Sequence, residues 1–136
     1  MDSDEMLRRL SAARVARLAT LTSSGAPHLV PFCFVVADSV LYSAVDRKPK
    51  RGGRLRRLAN VGADARVTVL VDHYEEDWSR LWWVRVDGRG RELGSGDEAT
   101  RALALLAAKY PQYAAAPPPG PVLRIDVDRW VGWSAS

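Results

Sequence analysis

Cysteine is almost absent from this chain: Cys33 stands alone, which excludes a disulfide framework and a thiolate-bound metal cluster. Histidine is nearly as scarce. His28 and His73 lie 45 positions apart, without the close spacing that brings two imidazoles to one metal, so no metal site is expected. The acids around His73 (Asp72, Glu75, Glu76, Asp77) read as a solvated acidic loop. No Gly-x-Ser-x-Gly turn, Gly-x-Gly-x-x-Gly loop or Walker loop occurs, which removes an elbow nucleophile and the common nucleotide fingerprints. Cys33 sits in an apolar run, where a thiol is ordinarily a small hydrophobe. Long apolar runs are missing too. The longest uncharged one, Ala26 to Ala37, is too short to span a bilayer and contains two prolines. The N-terminus, Met-Asp-Ser-Asp-Glu, is acidic where a signal peptide would be basic. The expectation is a cytoplasmic protein with no membrane association. No catalytic side chain stands out, and an enzyme so equipped would take its chemistry from an organic cofactor.

What is abundant is positive charge in one place. The net charge is +4, but between Arg47 and Arg57 seven of eleven residues are cationic, while elsewhere the signs are interspersed. Five tryptophans is also a high number for 136 residues, and such large aromatic surfaces fill cores or form faces for flat ligands and partner subunits. The length suits one domain, residues 1–136.

Asp2 or Ser3 caps a first helix, with Glu5 three residues after Asp2 as in a capping box and Met6, Leu7 and Leu10 as its apolar stripe. Residues 14–22 read as a strand, followed by a turn at Ser23–Pro27. A second strand, His28 to Ala37, is apolar on both faces, and Pro31 predicts an edge or bulge in it. A third strand runs from Val40 to Val45. A short helix, Arg54 to Val61, follows with Gly62 as its C-terminal glycine. Strands at Ala65–His73 and about Ser79–Leu93 precede a helix from Glu98 to Tyr110, stopped by Pro111. Ala114–Pro121 is an extended connector. A last strand, Val122 to about Trp133, alternates Leu123, Ile125 and Val127 against charged residues. Six strands and three helices predict a mainly β protein, a small antiparallel barrel with flanking helices.

The basic segment joins a strand to a helix, where backbone N–H groups and the helix dipole favour an anion. Gly52 and Gly53 let the backbone approach a phosphate, and Lys50, Arg51 and Arg54 offer charge-assisted bonds. By composition alone a nucleic-acid patch is an equal reading. Within Asp77–Val86, Trp82 and Trp83 must face opposite sides of a strand, so one of them meets a partner or a flat ligand, or simply packs on the surface.

Four stretches carry a resemblance: Arg17–Leu29 (RLATLTSSGAPHL), Asp46–Lys50 (DRKPK), Arg54–Asn60 (RLRRLAN) and, most specifically, Val71–Arg85 (VDHYEEDWSRLWWVR). In them the sequence resembles the pyridoxamine 5′-phosphate oxidase-like split β-barrel proteins, in particular the actinobacterial branch of coenzyme F420-dependent oxidoreductases. The resemblance implies a six-stranded antiparallel split barrel of the FMN-binding type and a homodimer with two cofactor sites at the subunit seam. It maps the phosphate contact to Lys50, or to Arg51 one residue away, supported by Lys48, Arg54 and Arg57. It places the cofactor ring against His28, Val30 and Phe32 and against Ser43, Ala44 and Val45, with Trp78 closing the site from the other subunit. The implied activity is hydride transfer between reduced F420 and a small unsaturated substrate, with solvent, His28 or Tyr42 supplying the proton. The alternatives are an FMN-binding flavin reductase or oxidase of the same fold, a cofactor carrier without turnover, and a nucleic-acid-binding module. The last is disfavoured by the absence of a base-reading motif.

Overall fold

The computed structural model describes residues 1–45 and 55–136. Helix α1 (Ser3–Ala12) leads into strands β1 (Ala16–Leu21), β2 (Pro27–Phe32), β3 (Val35–Ala37) and β4 (Val40–Ala44). Helix α2 (Arg56–Ala63), strands β5 (Arg66–His73) and β6 (Trp82–Leu93), helices α3 (Asp97–Lys109) and α4 (Pro111–Ala115), and strand β7 (Val122–Ser134) follow. The strands form one antiparallel sheet in the order β2–β1–β5–β6–β7–β4–β3. The architecture is the expected one, mainly β with flanking helices, with seven strands in place of six.

The additional strand comes from a break. Residues 28–37 are not one strand: β2 and β3 lie at opposite edges of the sheet, with only Cys33 and Phe34 between them. Three Cα steps hold Phe32 and Val35 within about 11 Å. The sheet must therefore curl until its two edges meet, giving a barrel that is split where β2 and β3 do not pair. Pro31 lies on an edge strand, where its missing N–H costs no central ladder bond. At the break, Tyr110 replaces the lost ladder. Its hydroxyl accepts from the Phe34 N–H at 3.0 Å and lies 3.0 Å from the carbonyl oxygens of Phe34 and Arg14.

Alternation fills the interior. Ala16, Leu18 and Thr20 of β1, Val67, Val69 and Val71 of β5, Val84 and Val86 of β6, and Leu123 and Ile125 of β7 are all buried. The register shifts between Asp87 and Gly88, which pair with Arg129 and Val127, so Asp128 is the unpaired residue of a bulge. The parity of β7 changes there: Trp130 packs on the same core as Val127. Gly88 is required at this point, because a Cβ would lie 2.3 Å from the Asp126 carbonyl oxygen. Gly132 serves α1 in the same way, since a Cβ would meet the Met6 sulfur at 2.7 Å.

Helix α1 starts as expected, with Asp2 accepting from the Glu5 N–H at 2.8 Å. Met6 and Leu10 are buried, but Leu7 is exposed, so the stripe is narrower than its sequence suggested. Helix α2 contributes Leu58 and Val61 to the barrel core. It continues to Ala63, leaving Gly62 inside the helix, not beyond it. Helix α3 lies over the outer face of β3 and β4, where Ala99 and Ala102 pack with Tyr42 and Val122. Helix α4 takes in the first two residues of the connector expected at Ala114–Pro121, and it has proline at its start, where a missing N–H is harmless. Burial of Tyr113 against Ala44, Leu106 and Tyr110 anchors that turn. Among the described residues, no helix is long and apolar enough to cross a membrane.

Candidate functional site

Both residues flanking the basic segment are packed into the barrel. Val45 is buried in the core and Leu55 packs against it. The segment itself, Asp46–Arg54, lies outside the described residues, and with it Lys48, Lys50, Arg51, Arg54 and the Gly52–Gly53 pair. Of the expected phosphate-binding group, only Arg57 is described, half-buried on the first turns of α2. One turn further along the same side is Asn60, which is 4% exposed. Its side-chain amide donates to the Thr20 hydroxyl at 2.9 Å. Thr20 pairs across the β1–β2 ladder with His28, so their side chains share the inner face. His28 Nδ1 is buried and has no hydrogen-bond partner among the described residues. A polar seam, Arg57–Asn60–Thr20–His28, thus runs from the start of α2 to the inner face of β2. A buried ring nitrogen without a partner loses its hydration with nothing in return, which marks the place where a ligand atom or an ordered water belongs.

The other expected ring contacts separate. Val30 and Phe32 follow His28 on the inner face, and Phe32 is core, its ring 5.6 Å from that of Phe34. Ser43 is buried, donating its hydroxyl to the Cys33 carbonyl oxygen at 2.7 Å, and Val45 is core. Ala44 is on the opposite face, packed with Leu106, Tyr110 and Tyr113. Tyr42 shares that outer side and donates to Glu98 Oε2 at 2.6 Å. Burial, and then Glu98, raise the phenol pKa, while the phenol and Arg124 hold Glu98 below the usual carboxylate range. Tyr42 and His28 therefore stand on opposite faces of the sheet, and the phenolic proton is already engaged.

Trp82 and Trp83 divide as the strand requires. Trp82 packs toward the core, with the Arg9 guanidinium 4.7 Å from its ring centre and the His73 ring 6.4 Å away. Trp83 faces outward, with Arg85 5.9 Å from its ring centre, into a cleft of about 440 Å³ that also includes Leu70, Asp72 and Tyr74. On this side Leu29 and Tyr74 are exposed; Trp78, in the turn before β6, is 75% exposed. Helix α3 covers the other flank, so the outer face of β2–β1–β5–β6 is left open with large apolar groups on it. His73 is paired with Glu75, and Arg80 approaches the same carboxylate at 3.5 Å. No group of three or more His, Cys, Asp or Glu among the described residues could hold a metal.

Sequence reasoning placed His28 and Arg57 but missed Thr20 and Asn60. Asn60 offered one signal: an amide on the inward stripe of a helix otherwise lined by Leu58 and Val61.

The fold agrees with the comparison to known proteins. Residues 3–134 match the pyridoxamine 5′-phosphate oxidase family, and the chain belongs to it. No curated protein matches the chain. Among solved structures, a FAD-binding protein of Mesorhizobium loti is 25% identical, with a TM-score of 0.73 over 97% of this chain and 92% of that one. A conserved hypothetical protein of Mycobacterium tuberculosis has a TM-score of 0.81 at 19% identity, covering 99% of this chain and 86% of that one. The heme storage protein HutZ of Vibrio cholerae has a TM-score of 0.71 at 11% identity, covering 96% and 90%. The last two share the fold.

Proposed function

We propose that this chain is an F420-dependent oxidoreductase that acts as a homodimer on a small unsaturated substrate. The observations that carry the reading are the basic run in the sequence, whose flanking residues Val45 and Leu55 pack into the barrel core, and the buried His28 Nδ1, which has no hydrogen-bond partner among the described residues. Those residues suit a ligand that is anionic at one end and hydrogen-bonding at the other. When bound, the deazaflavin would supply a hydride. The chain's own work is binding, orientation and exclusion of water. Lys50 or Arg51 would hold the phosphate, with Lys48, Arg54 and Arg57 beside it. His28 would hydrogen-bond the ring system through Nδ1. No side chain is assigned an acid–base step.

Seven cationic residues within Arg47–Arg57 exceed what one phosphate requires, whereas an acidic oligoglutamate tail would engage the whole run. This favours F420. The flavin reading, FMN or FAD in the same place, draws support from the FAD-binding neighbour at 25% identity. The dimer reading draws support from exposed Leu29 on the outer face of the sheet and from the cleft beside Trp83 and Tyr74 on the same face. Fluorescence titration of the purified protein with F420 and with FMN tests the cofactor assignment. Tight FMN binding with none for F420 would move the conclusion to a flavoprotein.

A further inference from the structure

A second cationic site lies at the seam of the barrel. Lys109, in the last turn of α3, donates to the Phe34 carbonyl oxygen at 2.8 Å, and its Nζ stands 4.0 Å from the centre of the Phe34 ring. Arg14, just before β1, donates to the Lys109 carbonyl oxygen at 3.0 Å. Both cations flank one phenol: the Arg14 guanidinium is 5.3 Å from the Tyr110 ring centre and the Lys109 Nζ 5.2 Å. Neither forms an ion pair with a carboxylate among the described residues. Burial, and then the Arg14 charge, lower the Lys109 amine to about 8. Beside them opens a cavity of about 360 Å³ lined by Arg14, Cys33, Tyr110, Gln112 and Tyr113.

Two like charges crowded together, one of them half-buried, are costly unless something answers them. The carbonyl oxygens of Lys109 and Phe34 answer part of the charge, as basic groups at a helix C-terminus do. Arg14 is exposed, and its one side-chain bond, to the Lys109 carbonyl, uses a single donor, so most of its five N–H donors face solvent, where an anion can reach them. A cavity with a guanidinium and an amide on its wall, and no carboxylate among its lining residues, accepts negative charge. At about 30 Å³ per water, its volume holds roughly a dozen waters, or a molecule the size of a simple aromatic acid.

We propose that this cavity, between α3, α4 and the β2–β3 bend, is a binding site for a small oxyanion, a carboxylate or a phosphate, held by Arg14 with Lys109 behind it. None of its lining residues belongs to the basic run, and the proposal is independent of the cofactor assignment.

Cys33, the only cysteine, lines the cavity and reports on it. Alkylation by iodoacetate, an anion, is compared with alkylation by neutral iodoacetamide in the wild type and in Arg14→Gln. The site predicts that the iodoacetate-to-iodoacetamide rate ratio falls by at least about threefold in the variant, as loss of one nearby charge requires. It also predicts that inorganic phosphate or benzoate slows wild-type alkylation saturably, and which of the two protects identifies the class. A second measurement needs no variant. Lys109 is one of three lysines, and its ε-amine can be followed by NMR; a bound anion should raise its titration midpoint. An unchanged rate ratio without protection by either anion, or a midpoint that stays put at saturating phosphate and benzoate, overturns the proposal.

Discussion

The hydroxyl of Tyr110 stands 3.0 Å from both the amide nitrogen and the carbonyl oxygen of Phe34, two residues 76 positions apart in sequence. The contact ties the C-terminal end of α3 to the bend where the two edges of the sheet meet. Tyr110→Phe keeps the ring and removes the hydroxyl, leaving the buried Phe34 N–H without its acceptor. The expected cost is about 1–3 kcal/mol, measured as a lower denaturant midpoint with an unchanged slope. A midpoint equal to the wild type would show that the bend does not depend on this brace.

Asn60 and Thr20 form a buried pair between α2 and β1. Thr20→Val removes the acceptor and strands the Asn60 amide, at an expected cost of about 1–3 kcal/mol. Thr20→Val with Asn60→Leu should cost less than the sum of the two single changes, because no polar group is then left alone. Strict additivity in the cycle would contradict a direct bond.

Lys109 gives the protein a pH signature. Its folded-state pKa, about 8, lies below the unfolded value near 10.5, so between those pH values the unfolded chain holds more protons. Its destabilising effect is fully present below pH 8 and fades as pH rises toward 10.5. Lys109→Met preserves the length of the side chain, and the Tyr110 hydroxyl remains beside the Phe34 carbonyl. The variant should therefore melt higher than the wild type at pH 7, with the gain shrinking by pH 10. A gain that is constant across this range would place its origin elsewhere.

The proposed dimer face is tested with Leu29→Asp. Leu29 is 67% exposed on β2, so the change should leave the folded chain intact. It would put a charge into an apolar interface, and sedimentation should show dissociation where the wild type is dimeric. A wild type that sediments as a monomer would remove the dimer from the account.

Much of the fold was visible in the sequence because alternation in β1, β5 and β7 reports one buried face. Residues 28–37 are apolar on both faces, so the period gave no sign of the break between β2 and β3. Long-range closure, held by Tyr110, decides that break, and local pattern cannot show it. The bulge at Asp128 reversed the parity of β7 for the same kind of reason: a register shift depends on the partner strand. In the site, the charge of Arg47–Arg57 was legible, as was the sharing of one strand face by His28, Val30 and Phe32, though not which face turns inward. The Asn60–Thr20 bond joins residues 40 positions apart and was not. The resemblance grouped Ala44 with Ser43 and Val45, yet strand alternation turns it to the other face under α3 and α4.

The central claim is that the basic run holds the anionic end of F420, and a single titration tests it most directly. Wild type and Lys50→Ala are titrated with F420 by fluorescence, with FMN as the competitor and circular dichroism confirming the fold of the variant. The account predicts saturable F420 binding that FMN displaces poorly and that weakens at least about tenfold in Lys50→Ala, the loss of one charge-assisted phosphate contact. Unchanged F420 affinity in Lys50→Ala, or binding of FMN alone, would contradict it.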